Sequence, residues 1–193
     1  DTRCNRMNFD SVPRKLNEAG FAVLAMDLRY KDIIAKTKSR KDAISTIQKQ
    51  DLMALVNYDA KSGIIFLSNK NEVDPERIAI IGTSLGSRIG IISGPKYDLK
   101  ALVLISLSGE TAFPNYKPTR QILADYGERP ILFMTAKKDW GGNGKAAEHN
   151  KKYYEWKNGK KELKIWSGSG HGIEILKRNE STKFVISWLK ENL

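Results

Sequence analysis

Three residues of this 193-residue sequence have the types and the order for acyl-transfer chemistry: Ser84, Asp139 and His171. Ser84 lies in "IAIIGTSLGSRIG", between Gly82 and Gly86, where four apolar residues hand over to a run with helical spacing. A serine hydroxyl is a poor nucleophile at neutral pH and needs an adjacent base. Histidine is that base, and it needs a carboxylate to hold its tautomer and to stabilise the imidazolium. His171 sits in "SGSGHG" and Asp139 closes "PILFMTAKKD". A chance Gly-x-Ser-x-Gly occurs in about one chain in twenty of this length, so the pentapeptide is only suggestive alone. The later acid and base, in that order, add to it.

Rivals for each role are few. The chain has two histidines; His149 falls within an expected helix over 145–156 and reads as a surface residue. Asp125 precedes its strand, whereas Asp139 follows one. The alternative for Ser84 is a plain turn serine. The glycines favour a sharp strand-to-helix turn, since residues without Cβ let strand and helix pack closely. A helix opening at Ser84 aims its first backbone N–H groups at a developing oxyanion, and the N–H of Leu85 is one such donor.

These residues need a scaffold that brings them together. "FAVLAMDL" (21–28), residues 77–82, "ALVLISL" (101–107), 130–138 and "KELKIWSG" (161–168) each read as buried strands. Between them lie helical patterns: one over about 10–19, with Asp10 as N-cap and Gly20 as stop, and one from Asp42 through Tyr58 that continues or restarts to Leu67. Asp51 falls on the apolar stripe of the latter. Another helix opens at Ser84, and an amphipathic helix closes the chain. Residues 29–42 read as a loop. Strands alternating with helices predict a mostly parallel sheet covered on both faces, an α/β fold in a single domain over 1–193. Such sheets bind ligands at the carboxyl ends of their strands, where Ser84, Asp139 and His171 all fall.

Composition narrows the function classes. Apolar residues make up 40% and charged residues 28%, which predicts a soluble globular chain. The balance of 33 basic against 22 acidic residues invites a nucleic-acid or membrane partner. The lysines, however, interleave with Glu148, Glu155 and Glu162, and no zinc spacing or RNA-binding signature accompanies them. The expectation is therefore no nucleic acid and no membrane, with a basic polyanion-binding module as a minor rival. One cysteine, Cys4, suits a reducing compartment. No apolar run reaches the roughly 18 residues of a membrane span. A cytoplasmic location is expected, with a leader upstream of Asp1 left open.

The segments "GFAVLAMDLR", "VDPERIAIIGTSLGSRIG", "PILFMTAKKD" and "GSGHG" together resemble the α/β-hydrolase family, in its lidless group of dienelactone hydrolases and small carboxylesterases. The resemblance implies Ser84 as nucleophile, Asp139 as triad acid, His171 as general base and Leu85 as an oxyanion N–H donor. Many dienelactone hydrolases use cysteine as nucleophile; serine here favours ordinary ester hydrolysis. The family also carries an earlier strand and a His-Gly segment that supplies a second oxyanion donor. The sequence starts at Asp1 without them, so it is N-terminally incomplete by the family pattern, and no second donor is assignable. Missing early strands leave a sheet edge prone to association, which makes a homo-oligomer a candidate. Residues 108–129 are too few for a cap domain, which implies an open cleft. Trp140 is a candidate wall of that cleft, with packing beneath its own loop as the alternative.

The resulting expectation is a serine hydrolase of small-molecule carboxylic esters or thioesters working through an acyl-enzyme, with no metal or organic cofactor. Acyl transfer or amide cleavage by the same triad stays open, as does a non-catalytic binding or scaffold protein with a vestigial triad.

Overall fold

The computed structural model of the chain describes residues 6–9, 11–29, 52–109 and 116–193. At its centre is a four-stranded parallel sheet: β1 (Ala79–Thr83), β2 (Ala101–Ile105), β3 (Ile131–Lys138) and β4 (Lys161–Ser169), ordered β1-β2-β3-β4. The helices are α1 (Val12–Glu18), α2, α3 (Leu85–Lys96), α4 (Thr119–Tyr126), α5 (Ala146–Trp156), α6 (Ile173–Leu176) and α7 (Asn179–Asn192). Helix α2 is built from Leu52–Ala54, a π-helical stretch Leu55–Ala60, and Lys61–Ser68. The chain thus has the expected α/β architecture. Among the described residues no helix is long and apolar enough to cross a membrane.

Each strand feeds two cores by simple alternation. In β2, Leu102 and Leu104 join one apolar cluster with Ile89 and Ile92 of α3, Ile122 and Leu123 of α4 and Tyr153 of α5. Ala101, Val103 and Ile105 join the other, with Leu16 of α1, Ile175 and Leu176 of α6 and Val185, Trp188 and Leu189 of α7. All five residues of β2 are buried, as expected of an inner parallel strand with helices on both sides. The strand stops at Ile105, two residues short of the sequence expectation, because Ser106 turns to φ +59°. Leu107 beyond it is still core.

One expected strand does not form. Residues 21–28 are only half-buried for the most part and have no ladder partner among the described residues. Between them and β1 runs an apolar groove of about 420 Å³, lined by Val23, Leu24 and Met26 on one wall and Ile80, Ile81 and Thr83 on the other. A strand needs a neighbour about 4.8 Å away to pair with, and the groove denies it one. The apolar content of 21–28 lines the groove, and pairing does not follow from apolar content.

Helix α1 ends where Gly20 takes φ +96°, as its stop signal implies. Asp10, the loop over 30–42 and the α2 region up to Asp51 lie outside the described residues. The segment 108–129 contributes α4 to the core, with residues 110–115 also outside the description.

Candidate active site

Ser84 stands at the junction of β1 and α3 with φ +54° and ψ −110°, a conformation that costs a non-glycine residue energy and persists only when its surroundings enforce it. Those surroundings are visible. The Ser84 N–H donates to Ile105 O at 2.9 Å, and the buried Ser87 hydroxyl contacts Gly82 O at 2.8 Å and Ile105 O at 2.7 Å. The turn is therefore clamped to the end of β2. Gly82 is required sterically: a Cβ there would lie 2.3 Å from Gly86 O and 2.6 Å from Ser87 N. Gly86 is different, since a Cβ on it would meet nothing within 4 Å. The expectation that both glycines serve close packing holds for the first only; Gly86 opens onto the groove beside β1.

His171 follows β4 between two glycines of positive φ, Gly170 and Gly172. Its N–H donates to Glu174 Oε2 at 3.0 Å, which fixes the entry to α6. The ring is buried and reaches in two directions. Nε2 lies 2.8 Å from Ser84 Oγ and Nδ1 lies 2.6 Å from Asp139 Oδ1. An ionised carboxylate only accepts, so Nδ1 carries the proton and Nε2 is left to accept from the serine hydroxyl. The three residues singled out in the sequence are thus brought into one hydrogen-bonded chain.

Asp139 is buried just past β3, at 1% exposure. Its Oδ1 also accepts from the Gly141 N–H at 2.9 Å, and its Oδ2 accepts from the hydroxyls of Ser106 at 2.6 Å and Thr135 at 2.9 Å. Burial pushes the carboxyl pKa up, but hydrogen bonds from His171, Ser106 and Gly141 outweigh it and hold the group below the ordinary carboxylate value. Asp139 is accordingly charged at neutral pH.

Leu85 is the first residue of α3, so its N–H belongs to the first-turn donors that a helix leaves without internal acceptors. No second oxyanion donor is assigned among the described residues. Trp140 is half exposed, and its ring centroid lies 4.0 Å from that of His171 with 36° between the planes. It covers the imidazole with part of its ring left exposed. The residues after it turn tightly, with Gly142 and Asn143 both in the left-handed region.

Two expectations fail or fall away. His149 is buried at 8%, and its Nδ1 accepts from the Gly109 N–H at 3.2 Å. It shares an inward face with Ala146, Asn150 and Tyr153, a spacing of three and four residues that the sequence already displayed. Asp125 sits on α4, paired with Lys117 at 2.6 Å and bonded to Gln121 at 2.9 Å, with no link to this site. Sequence reasoning missed Ser106 and Thr135. No motif marks them; their only signal is a polar type at the end of an apolar strand and four residues before the acid.

A model of the dienelactone hydrolase family matches residues 2–185. A search of the curated proteins found no match. Among solved structures, a putative dienelactone hydrolase from Klebsiella pneumoniae is similar at 18% identity and a TM-score of 0.71, covering 95% of this chain and 81% of its own. A dienelactone hydrolase from Anabaena variabilis is similar at 14% identity and 0.65, covering 98% and 80%. An esterase from Pyrococcus furiosus is similar at 16% identity and 0.62, covering 95% and 76%. At these identities the structures speak to the fold, and the family model to membership.

Proposed function

The chain belongs to the dienelactone hydrolase family and is a hydrolase of the α/β type; from that premise we propose that it cleaves carboxylic esters or thioesters through a serine acyl-enzyme. The observation that carries this reading is the continuous hydrogen-bond path from Ser84 Oγ through the His171 ring to Asp139, with links of 2.8 and 2.6 Å.

In this reading Ser84 Oγ attacks the acyl carbon while His171 Nε2 takes its proton. The charge that develops on the imidazole faces Asp139, whose carboxylate stays ionised and holds the ring in place. Negative charge on the former carbonyl oxygen is met by the Leu85 N–H and the positive end of α3. The imidazolium then protonates the leaving alcohol or thiol. Water, activated by the same ring, attacks the acyl-enzyme and releases the acid, which restores Ser84. Trp140 forms one wall of the cleft, above the imidazole. The substrate is a small molecule with an accessible acyl group. The esterase from Pyrococcus furiosus, built on the same fold, supports an ester as the scissile bond.

The test is turnover of p-nitrophenyl acetate and labelling by a fluorophosphonate, each with the parent chain and Ser84→Ala. Loss of the nucleophile of a comparable triad costs on the order of a millionfold in kcat. We expect labelling and turnover in the parent and neither in the variant. Equal activity in both refutes the mechanism; inactivity of both favours a binding role for the fold.

A further inference from the structure

Ser106 stands where the backbone asks for glycine. It follows β2 with φ +59°, in the left-handed region that side chains with a Cβ rarely adopt. It is 1% exposed, so its hydroxyl owes nothing to water. That hydroxyl makes two short bonds in opposite directions: it donates to Asp139 Oδ2 at 2.6 Å and accepts from the Gly172 N–H at 2.7 Å. Gly172 is the residue directly after His171 and opens α6. One side chain on β2 therefore ties the carboxylate beyond β3 to the backbone of the loop beyond β4. The same segment of β2 holds the third strand end, because Ile105 O accepts the Ser84 N–H and contacts the Ser87 hydroxyl.

We propose that Ser106 is a positioning residue of the triad, which sets the distance and angle between Asp139 and the His171 ring by bridging the carboxylate to the Gly172 N–H. This rests on the reading of Ser84, His171 and Asp139 as a catalytic triad. Thr135 is not equivalent. It contacts the same Oδ2 at 2.9 Å, but its hydroxyl also leans on Ala136 O at 3.4 Å, so it steadies the acid from within β3 alone. Ser106 links two loops that leave the sheet just past a shift in the β3–β4 register between Ala136 and Lys138, after which only Lys138 and Ser169 pair. A glycine at 106 satisfies the backbone but surrenders the bridge. That a serine occupies the position in spite of its φ is the mark of a hydroxyl with a task.

The experiment compares Ser106→Gly and Ser106→Ala with the parent. Both delete the hydroxyl; only glycine relieves the backbone. We expect both to lower kcat for p-nitrophenyl acetate by about ten- to a hundredfold with KM unchanged, since misplacement of a catalytic group acts on the reacting geometry. Thermal unfolding separates this from a structural role: Ser106→Gly, relieved of its backbone strain, melts above Ser106→Ala, while kcat falls in both. The His171 Nδ1–H proton, held by the bond to Asp139, gives a downfield NMR resonance that is read without turnover. It moves upfield in both variants. Parent kcat and an unmoved resonance in Ser106→Gly overturn the proposal. A kcat that tracks the unfolding midpoint, lost in alanine and retained in glycine, overturns it also. Failure of the triad itself is seen separately, as undiminished labelling in Ser84→Ala.

Discussion

The two flanks of Ser84 are built by different physics. Toward β2, β3 and β4 the serine meets a dense polar network: it bonds to His171, which bonds to Asp139, and Asp139 accepts from Ser106, Thr135 and the Gly141 N–H while Ser106 accepts from the Gly172 N–H. Toward the outer edge of β1 its neighbours Thr83 and Gly86 border the apolar groove, where residues 21–28 and the strand face each other without pairing among the described residues. Directional bonds at low dielectric fix atoms to tenths of an ångström and leave little room for change. Apolar contact is non-directional and fixes only what is buried. The proposed chemistry sits on the first flank because proton transfer needs set distances, and the second has space because burial alone does not set them.

That contrast is broken most severely at Asp139. Asp139→Asn keeps the shape of the polar flank but removes the acceptor that selects the histidine tautomer. A comparable substitution in a triad costs about 10⁴ in kcat, and we expect a loss of that order in steady-state hydrolysis of p-nitrophenyl acetate. A loss below about tenfold would mean that Asp139 does not hold the ring.

Next in size is the pair of glycines that divides the flanks. Gly82→Ala drives a Cβ against the backbone of Gly86 and Ser87, so the turn itself must shift. Denaturant unfolding is expected to show a loss of about 1–3 kcal/mol, typical of overpacking, together with a fall in kcat as Ser84 moves. Gly86→Ala enters open space at the start of α3 and is expected to hold stability or raise it by up to about 1 kcal/mol. Equal destabilisation by the two would remove the distinction drawn between them.

The smallest expected effect is in pH. The Asp139 carboxyl is held below its ordinary value of 3.8, so the folded state keeps the proton off more strongly than the unfolded chain does. Its contribution is complete above about pH 4 and is lost as pH falls through the folded value. Urea unfolding followed from about pH 6 downward through the carboxylate range should therefore show a steeper acid decline for the parent than for Asp139→Asn. Parallel curves would mean that its hydrogen bonds stabilise both protonation states alike.

Much of this was legible from residue order. Apolar runs separated by helical spacing gave the alternating α/β pattern, because periodicity is a local property of the chain. Ser84, Asp139 and His171 stood out because their types are those the chemistry demands and because parallel strands all direct their carboxyl ends to one rim. His149 reads as a surface residue because a histidine is polar, yet its spacing with Ala146 and Tyr153 puts it on the inward face of α5. Residues 21–28 depart from their strand pattern for a deeper reason. A strand is defined by its neighbour, and no pattern within eight residues states whether a neighbour is there.

The alternation of strands and helices from β1 onward and the polar residues at the strand ends follow from the chain itself, since each depends on nearby residues; that glycine is needed at 82 and not at 86 is decided by the fold. What only the folded molecule decided is which hydroxyls reach Asp139. Ser106 is 33 residues from it and 66 from Gly172, and its role exists only because β2 lies beside β3 and its backbone turns left-handed at that point. Hydrogen bonds act over about 3 Å, and separations along the sequence carry no record of that distance.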